Sequence, residues 1–481
     1  MATKAKKSFL KQLRESFEDL EQCHDVDLKE SYHLPEKKVR VPIKQYPIQL
    51  NLYPEGQALH LYPEIPMKSG GSDKEPYSYI LFDPEQYFSG ISGFMRLNDG
   101  AKLVLEPKRG TDISQLIIDP VPRERLLSIL NRNGSLVFKN HSGKSGSCIA
   151  PLTKDKQLSR IAKWRYEKLE RLRKIYGGPI KQLSNKESLS LIKSVNKLLG
   201  KEAYRPADKK GRPGLVINLP KKIIPILVGD LHAKLNNLLV VLTQNGFLES
   251  LEDGSAALVI LGDAVHREDK GHYDEMESSL LIMDFIFKLK LRFPEQVFYI
   301  RGNHDSFSEE IGKAGIPQGL LWSKTLIKIR GKEYRKEMEH FYDQLPLIAY
   351  SKHFIASHAA PPLSTTSLSG LINGRGESRL HRELVCNRLR MPHRPGGYGK
   401  SDIKKFRKIL NLSADTPVVV GHTPLSLEET IWEKVGDIDN HYIVYGGNDE
   451  WVGVMTRIGD RMLPLRYPIE PLMSLINSLS D

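Results

Sequence analysis

The spacing of apolar and polar residues divides the chain into four segments: 1–40, 41–150, 151–214 and 215–475. In the first, apolar side chains recur every three to four positions from Ser8 to Glu21, which predicts a short amphipathic helix followed by a linker. The second has short β-type runs separated by Gly, Pro, Asn and Asp, which predicts a small all-β module. Its predicted strands include Ile48–Tyr53, Tyr77–Phe82, Lys102–Leu105 and Ser135–Lys139.

The third segment, 151–214, returns to helical spacing. One apolar stripe runs from Leu158 to Ile175, and a second follows the sequence Ser184-Asn-Lys-Glu187. Those four residues match a capping box, in which the serine and glutamate side chains bond free amide groups at the start of a helix. The pattern predicts a basic helical hairpin, followed by a linker at 205–213 and a new domain near Leu215.

The fourth segment, 215–475, contains five apolar runs that each end in a polar cluster. Continuous apolar runs are typical of strands buried on both faces, and parallel strands bring their carboxyl ends to one edge of a sheet. One Asp or His at a strand end is usually a cap, but five in series predict a site. The clusters are Asp230-Leu-His232, Asp263-Ala-Val-His266-Arg267, Asn303-His304-Asp305, Ser357-His358 and Gly421-His422.

We therefore expect an α/β (α+β) fold for this segment, with two packed sheets flanked by helices. A helix is predicted at Met276–Leu291, and the runs Tyr442–Tyr445 and Val452–Thr456 are expected to complete the second sheet. Oxygen and imidazole ligands without thiolates suit manganese, iron or zinc, and one carboxylate can bridge two ions. Because a two-metal site stabilises in-line displacement at phosphorus, the predicted reaction is phosphoester hydrolysis.

These clusters resemble the phosphoprotein phosphatase branch of the calcineurin-like metallophosphoesterases, in order and in spacing. The resemblance covers 223–466, roughly half of the chain, and includes Phe293-Pro-Glu-Gln-Val-Phe-Tyr-Ile-Arg-Gly-Asn-His304 and Tyr342-Asp-Gln-Leu-Pro-Leu-Ile-Ala349. It implies a metal-dependent phosphatase that acts on phosphoserine or phosphothreonine in proteins, with phosphotyrosine as a further substrate. It also implies direct attack by a hydroxide that bridges two divalent ions, for which manganese is the first choice and iron or zinc the alternatives.

The resemblance also implies a role for each matching residue. One ion is held by Asp230, His232 and Asp263, and the other by Asp263, Asn303, His358 and His422. His304 matches the general acid that protonates the leaving group, since imidazole titrates near neutral pH.

Two arginines are implied as phosphate clamps, together with Asn303 as a substrate-binding residue. Arg267 matches the first clamp, because its planar guanidinium can bind two phosphoryl oxygens. For the second clamp we choose Arg394, with Arg375 and Arg390 as alternatives.

The chain departs from the family pattern around the general acid. His266 stands where the family has the aspartate that orients this acid, so His266 joins the predicted catalytic residues, and Glu268 replaces a glycine. Glu268, Asp269 or Asp305 could orient His304 instead. Weaker protonation of the leaving group favours phosphotyrosine, because a phenolate with a pKa of about 10 leaves more easily than an alkoxide. Ala359-Ala360 also replaces the usual Gly-Gly, which predicts an altered approach to the metals.

The all-β module is similar to a forkhead-associated sandwich in several short motifs. They include Arg96-Leu-Asn-Asp-Gly100, Arg109-Gly-Thr-Asp-Ile113 and Asn140-His-Ser-Gly-Lys-Ser-Gly146. Pro122 and Arg125 stand where that family has its phosphate-binding serine and its histidine, so phosphothreonine binding is not expected even if the fold is right.

Charge is concentrated in one part of the chain. The net charge is +13, and 151–213 alone carries 18 Lys or Arg against 6 Asp or Glu. Such a stretch is either a solvated helical face or a site for an anionic partner, and we disfavour nucleic acid among such partners. The composition, with 40% hydrophobic and 27% charged residues, excludes a fibrous or wholly disordered chain.

The expected location is the cytoplasm. Three widely separated cysteines favour a reducing compartment, and neither a signal peptide nor a membrane-spanning run is recognisable. Delivery into another cell without a signal peptide remains open, as do the physiological substrate and the oligomeric state. The alternative functions are hydrolysis of small phosphoesters or dinucleoside polyphosphates, and a weakly catalytic scaffold with a phosphatase-like core.

Overall fold

The computed structural model describes most of the chain in two compact units. The described residues are 23–52, 58–63, 78–84, 94–105, 125–141, 146–152, 157–359, 361–391, 396–459 and 461–479. Those up to Tyr166 belong to the first unit, and those from Glu167 onward belong to the second. The predicted helix at 8–21, Pro122 and Arg394 lie outside the described residues.

The first unit contains two β-sheets that share one apolar core. Strands β1, β3, β10, β9 and β8 form one sheet in that order, and β2, β11, β4, β5, β6 and β7 form the other. Fully buried Leu50 and Leu61 from one sheet belong to the same core cluster as Ile129 and Phe138 from the other. The strands are β1 His24–Asp25, β2 Tyr32–His33, β3 Val39–Val41, β4 Ile48–Asn51, β5 Ala58–Pro63, β6 Tyr79–Phe82, β7 Phe94–Leu97, β8 Lys102–Leu105, β9 Leu127–Arg132, β10 Ser135–Asn140 and β11 Cys148–Pro151.

Strands β4, β6, β8 and β10 overlap the four predicted β-type runs, whereas β1, β2 and β3 begin in the segment predicted as a helix and linker. Buried and partly buried residues alternate along β4, as expected for a strand with one face on a core. The likeness to a forkhead-associated sandwich stays a prediction.

The second unit contains two further sheets. Strands β15, β14, β13, β21 and β22 form one, and β12, β16, β17, β18, β20 and β19 form the other. β13, β14 and β15 run parallel, as do β17, β18 and β20. The strands are β12 Val216–Asn218, β13 Ile224–Val228, β14 Ala256–Ile260, β15 Val297–Tyr299, β16 Ile348–Ser351, β17 Phe354–Ser357, β18 Val418–Val420, β19 Ile431–Glu433, β20 His441–Val444, β21 Trp451–Ile458 and β22 Arg461–Pro468.

The two sheets pack face to face. Leu227, Val259 and Phe298 from the first sheet share a core cluster with Ala356 and Val419 from the second. Every residue of β14 is buried, which explains why its sequence is an unbroken apolar run. The predicted α/β fold class with two packed sheets is confirmed.

The two late runs do not share a sheet, which corrects one expectation. β20 pairs with β18 in the six-stranded sheet, whereas β21 pairs antiparallel with β13 in the five-stranded sheet. Both runs are mainly apolar, so the sequence pattern does not show which sheet each strand joins. The strand pairing shows it.

Helices surround these sheets. They are α1 Gln157–Tyr176, α2 Asn185–Leu199, α3 Leu235–Thr243, α4 Phe247–Glu252, α5 Glu277–Arg292, α6 Gln318–Arg330, α7 Lys332–Gln344, α8 Leu368–Asn373, α9 Ser378–Cys386, α10 Lys400–Ile409 and α11 Leu472–Ser478. The capping box predicted at Ser184 and Glu187 begins α2. None of these helices, within the described part of the chain, is long and apolar enough to cross a membrane.

The helical segment belongs largely to the second unit, because the division falls at Tyr166 and not near Leu215. The predicted linker is held in place by Arg205, whose Nε donates to the carbonyl of Gly214 at 2.7 Å and whose Nη2 donates to that of Gln344 at 2.9 Å. Arg205 also forms a buried ion pair with Glu202 at 2.9 Å.

Several of the basic residues in this segment have acidic partners in the same unit. Their pairs are Lys168 with Glu249, Arg171 with Glu249 and Glu252, Lys193 with Glu333, and Arg212 with Asp208. Part of the local positive charge is therefore compensated within the chain.

Candidate metal centre

The predicted ligands follow strand ends of both sheets in the second unit. Asp230 and His232 follow β13, Asp263 follows β14, His358 follows β17 and His422 follows β18. The backbone φ angle is 42° at His232, 50° at Asp263 and 65° at His422. Left-handed conformations of this kind cost about 1–3 kcal/mol in non-glycine residues and cluster at functional sites.

Two glycines leave space for the carboxylates. A Cβ atom at Gly302 would lie 2.0 Å from Oδ1 of Asp263, and one at Gly421 would lie 2.2 Å from Oδ1 of Asp230. Any larger residue at either position would collide with a ligand side chain. Gly302 precedes the predicted ligand Asn303, and Gly421 precedes the predicted ligand His422. Each of these two short motifs therefore supplies one ligand and leaves space for the carboxylate of another, Asp263 or Asp230.

Two groups of ligand atoms converge in the fold. Asp230, His232 and Asp263 form one group, and Asp263, His358 and His422 form the other, with the ligand atoms within 4.8 Å of one another in each. Asp263 belongs to both, as expected for a bridging carboxylate. The Oδ1 atom of Asn303 lies 2.9 Å from Nε2 of His358, which adds an amide oxygen to the second group.

Backbone carbonyl groups orient the histidine ligands. Nδ1 of His358 donates to the carbonyl of Leu261 at 2.7 Å, and Nδ1 of His232 donates to that of His266 at 3.0 Å, which leaves Nε2 of both rings to face the ligand groups. His422 is turned the other way, since its Nε2 donates to the carbonyl of Cys386 at 3.3 Å. Such outer contacts set the tautomer of metal-binding imidazoles, so the arrangement fits two divalent ions.

A network around Asp305 supports the bridging carboxylate. Asp305 accepts hydrogen bonds from the Gly302 amide at 2.7 Å and from the Tyr299 hydroxyl at 2.8 Å, and the Asp263 amide lies 3.3 Å away. Asp263 itself accepts from the His304 amide at 2.7 Å. The role of Tyr299 was not recognisable from the sequence, where it is one aromatic residue in an apolar run.

Burial and opposite charges shift the pKa values of the ligands. Burial raises the pKa of Asp230 to about 6, although His358 opposes this shift. Burial also disfavours the charged form of Asp263, but the imidazoles of His358 and His304 hold its pKa below the usual range. Burial disfavours the cation of His358, yet Asp263 and Asp230 raise its pKa to about 9. The carboxylates thus attract positive charge to this site.

His304 lies beside the ligands and contacts His266. The two Nδ1 atoms are 3.0 Å apart, and both side chains are buried. Burial lowers the pKa of His304 to about 4 and holds that of His266 well below its usual value. The contact is therefore a hydrogen bond between two neutral rings, in which one Nδ1 donates and the other accepts.

None of the three acids considered as orienting groups hydrogen-bonds to His304 within the described chain. Glu268 pairs with Lys313 at 2.6 Å and Asp305 supports Asp263 as described above. Asp269 pairs with Lys234 and with Arg267. His266 occupies the position next to His304.

Of the four candidate phosphate clamps, Arg394 lies outside the described residues, and the other three lie in different surroundings. Arg267 is 29% exposed, and its Nε donates to Asp269 at 2.6 Å. Arg375 donates from Nη2 to the carbonyl of Pro213 at 3.1 Å, and Arg390 donates from Nη2 to that of Gly397 at 3.1 Å.

A cavity of about 860 Å³ opens beside the metal centre. Gly302 and Asn303 line it together with residues from α7 and α9. Its cationic and imidazole side chains, which we call the basic groove, are Arg212, Arg301, His340, Arg375 and His381. No sequence motif indicated this groove.

Residues 226–451 match the model of the calcineurin-like phosphoesterase family. This stretch is similar to calcineurin-like phosphoesterase domains. The match contains all six predicted ligands, from Asp230 to His422, and it confirms the predicted enzyme class, a metallophosphoesterase. Since it covers a little under half of the chain, it does not extend to the first unit.

Curated relatives of the calcineurin-like phosphoesterase domain match over short stretches. The PP2A-like serine/threonine-protein phosphatase PPG1 of Candida albicans is 39% identical over 80 residues, which are 17% of this chain and 16% of that protein. The serine/threonine-protein phosphatase rdgC of Drosophila melanogaster is 44% identical over 77 residues, which are 16% of this chain and 10% of that protein. The chain thus spans less than a fifth of the length of these two relatives.

A solved serine/threonine phosphatase from Saccharomyces cerevisiae, described as similar to human phosphatase PP5, aligns with the chain at a TM-score of 0.46. The alignment has 16% sequence identity and covers 60% of this chain and 91% of that one.

Proposed function

We propose that the chain is a metal-dependent phosphoprotein phosphatase that hydrolyses phosphate monoesters on serine, threonine and tyrosine. The observation that carries the proposal is the pair of ligand groups that share Asp263 at the edge of two packed sheets. The relatives that match short stretches of the chain are serine/threonine-protein phosphatases, which supports a protein substrate. The six ligands are Asp230, His232, Asp263, Asn303, His358 and His422.

Two divalent ions would be held by these ligands, with manganese as the first choice. When bound, they lower the pKa of water to supply a nucleophile and neutralise charge on the phosphoryl oxygens. The chain supplies the remaining parts. Asp263 joins the two ligand groups, and the carbonyls of Leu261, His266 and Cys386 keep the imidazoles in the tautomers that ligation needs.

His304 is proposed to donate a proton to the leaving oxygen. Its amide donates to Asp263, which fixes the backbone next to the reacting group. Arg267 is proposed to bind phosphoryl oxygens with its guanidinium, which is held at the rim by Asp269. The hydrogen bond from Arg267 to Asp269 would persist when a phosphate binds the same guanidinium. The carboxylate of Asp269 would therefore position Arg267 for phosphate binding. Arg394 remains the proposed second clamp, and Asn303 a proposed contact to substrate.

His266 is proposed to set the substrate preference. A carboxylate in its place would stabilise a protonated His304, whereas neutral His266 offers one hydrogen bond without negative charge. His304 then holds a proton less readily, and leaving groups that need little protonation react best. This argument favours phosphotyrosine, whose phenolate has a pKa of about 10.

The test is phosphate release from phosphoserine, phosphothreonine and phosphotyrosine peptides of matched sequence, with added Mn²⁺. We expect hydrolysis that is lost in Asp263→Asn, and a preference for phosphotyrosine that falls by about 10-fold or more in His266→Asp. Failure to release phosphate from any peptide, in protein shown to hold two metal ions, would contradict the proposal. A dinucleoside polyphosphate is included as a further substrate, because its selective hydrolysis would indicate a small-molecule hydrolase.

A further inference from the structure

The basic groove lies directly beside the proposed reaction site. Its lining includes Gly302 and the ligand Asn303, so a chain bound in the groove would extend away from the metal centre. The volume of about 860 Å³ is within the range of roughly 300–1,000 Å³ that is typical of ligand pockets. The groove therefore has room for residues that flank a phosphorylated side chain.

Positive charge in the groove is only partly compensated, since Arg212 pairs with Asp208 at 2.8 Å but Arg301 and Arg375 make no hydrogen bond to a carboxylate in the described chain. Asp343 is the single acidic residue among those that line the cavity, all of which are described, and its side chain is 66% exposed. Arg301 approaches it no closer than 3.6 Å and makes no side-chain hydrogen bond to the described residues, although only 23% of its side chain is exposed. A largely buried guanidinium without hydrogen bonds has donors available for an anion.

Arg375 is held rigidly but is not neutralised. Its two Nη atoms donate to the backbone carbonyls of Asp343 and Pro213, and its buried Nε has no hydrogen-bond partner in the described structure. Burial lowers the pKa of Arg375, and the charges of Arg205 and Arg212 lower it further. The fold keeps this cation in place without placing a carboxylate against it.

His381 lines the same groove as an uncharged imidazole. Burial lowers the pKa of His381 to about 4, and Arg301 contributes to that shift. Its buried Nε2 has no hydrogen-bond partner in the described part of the chain. Because the neutral ring already bonds the backbone of Gly374, its free Nε2 is an acceptor, and the attraction for an anion comes from the arginines.

We propose that the basic groove binds an anionic side chain that flanks the phosphorylated residue of the substrate. This inference rests on the proposed function and deepens it, because it makes the substrate an acidic phosphopeptide. The anionic group is either the carboxylate of Asp or Glu or a second phosphate. Arg301 and Arg375 are the specificity-determining residues.

The experiment compares phosphotyrosine peptides that differ only in the flanking residues, which are Glu, Gln, Lys or phosphoserine. We expect kcat/KM for the Glu peptide to exceed that for the Gln peptide by about 10-fold or more, the factor that one charge-assisted hydrogen bond supplies. The difference should lie mainly in KM. A larger value for flanking phosphoserine than for Glu would identify a second phosphate as the preferred anion.

Three variants locate the effect. Arg301→Gln and Arg375→Gln should each reduce the Glu preference to about 2-fold or less. In Arg301→Gln, hydrolysis of a small aryl phosphate, which does not reach the groove, should stay within about 2-fold of wild type. Arg301→Gln carries the test if Arg375→Gln fails to fold, because Arg301 makes no side-chain hydrogen bond to lose. The matched control is Arg379→Gln, on the same helix as His381, with a side chain that is 80% exposed and outside the cavity lining.

Equal kcat/KM for the Glu and Gln peptides in the wild type would overturn the inference. The inference would also be overturned if Arg301→Gln and Arg375→Gln kept the preference for the Glu over the Gln peptide and the control Arg379→Gln lost it. Binding of a fluorescent Glu peptide to Asp263→Asn protein requires no turnover and separates the two proposals. Arg301-dependent binding without phosphate release from any peptide would retain the groove and contradict the phosphatase.

Discussion

The metal centre and the basic groove share Asn303 but have opposite charge. In the metal centre, the carboxylates of Asp230 and Asp263 attract cations, and they raise the pKa of His358 to about 9. In the basic groove, Arg301 has one carboxylate, that of Asp343, at 3.6 Å, and the Nη atoms of Arg375 donate to backbone carbonyls. On the two proposals made above, the metal centre would hold the ions for the reaction and the basic groove would select the substrate.

The two regions also differ in how the fold builds them. The ligands follow strand ends, often in left-handed backbone, and each sits in a short motif. The groove is assembled from a loop before β12, the end of β15, and helices α7 and α9. Substitutions should therefore separate the regions, with loss of turnover in one and altered substrate choice in the other.

The largest effect is expected for Asp263→Asn. This change removes the carboxylate common to both ligand groups, so kcat should fall by about 10³-fold or more for every substrate. Phosphate release and metal content by mass spectrometry measure it. The exposed Asp439→Asn is the matched control, and full metal content with normal turnover in Asp263→Asn would refute the shared ligand.

A smaller and selective effect is expected for His304→Ala. Loss of a general acid costs about 10²–10⁴-fold, and the loss should be greater for phosphoserine than for phosphotyrosine peptides. Steady-state kcat values for matched peptides measure the difference. Equal losses for both would count against the proposed role of His266 in setting the preference.

The affinity of the metal centre for Mn²⁺ should change with pH between 7 and 9. The peptide preference of the basic groove should not change over that range. His358 is protonated below its pKa of about 9 in the metal-free protein, and ligation needs the neutral ring. The apparent Mn²⁺ affinity should then rise by up to about 10-fold per pH unit between pH 7 and 9, with proton release. Calorimetry in buffers of different ionisation enthalpy measures both. Affinity that is constant over this range would disprove the competition.

The smallest effect is expected from salt. The basic groove is open to solvent, and the Debye length falls from about 10 Å at 0.1 M to about 3 Å at 1 M ionic strength. Preference for the Glu over the Gln peptide should weaken by roughly 2–5-fold over that range. The control is the kcat for a small aryl phosphate, which should change less. A salt-independent preference would indicate that something other than charge selects the substrate.

The sequence predicted those structural features that depend on residues close together in the chain, such as buried strands and helix caps. The apolar runs of β13, β14 and β18 and the capping box at Ser184 were recognisable because burial and helix capping act over a few positions. The polar clusters were recognisable because they follow apolar runs, and the resemblance to a known family implied which six residues are ligands. Parallel pairing within each sheet and the packing of the two sheets bring the strand ends together.

Contacts between distant residues were decided only by the tertiary structure. The apolar texture of β20 and β21 is alike, yet pairing places them in different sheets. The 3.0 Å contact of His266 with His304 and the pairing of Lys168 with Glu249 likewise depend on how elements pack.

The amino-acid sequence by itself determined the fold class of the second unit and the residue types available for metal binding, because periodicity and strand-end motifs are local properties. The tertiary structure alone decided the tautomers of the ligand histidines, the neutral partner of His304 and the basic groove. Arg212, Arg301 and Arg375 are far apart in the sequence, so their joint electrostatic field exists only after the loops and helices that carry them have packed.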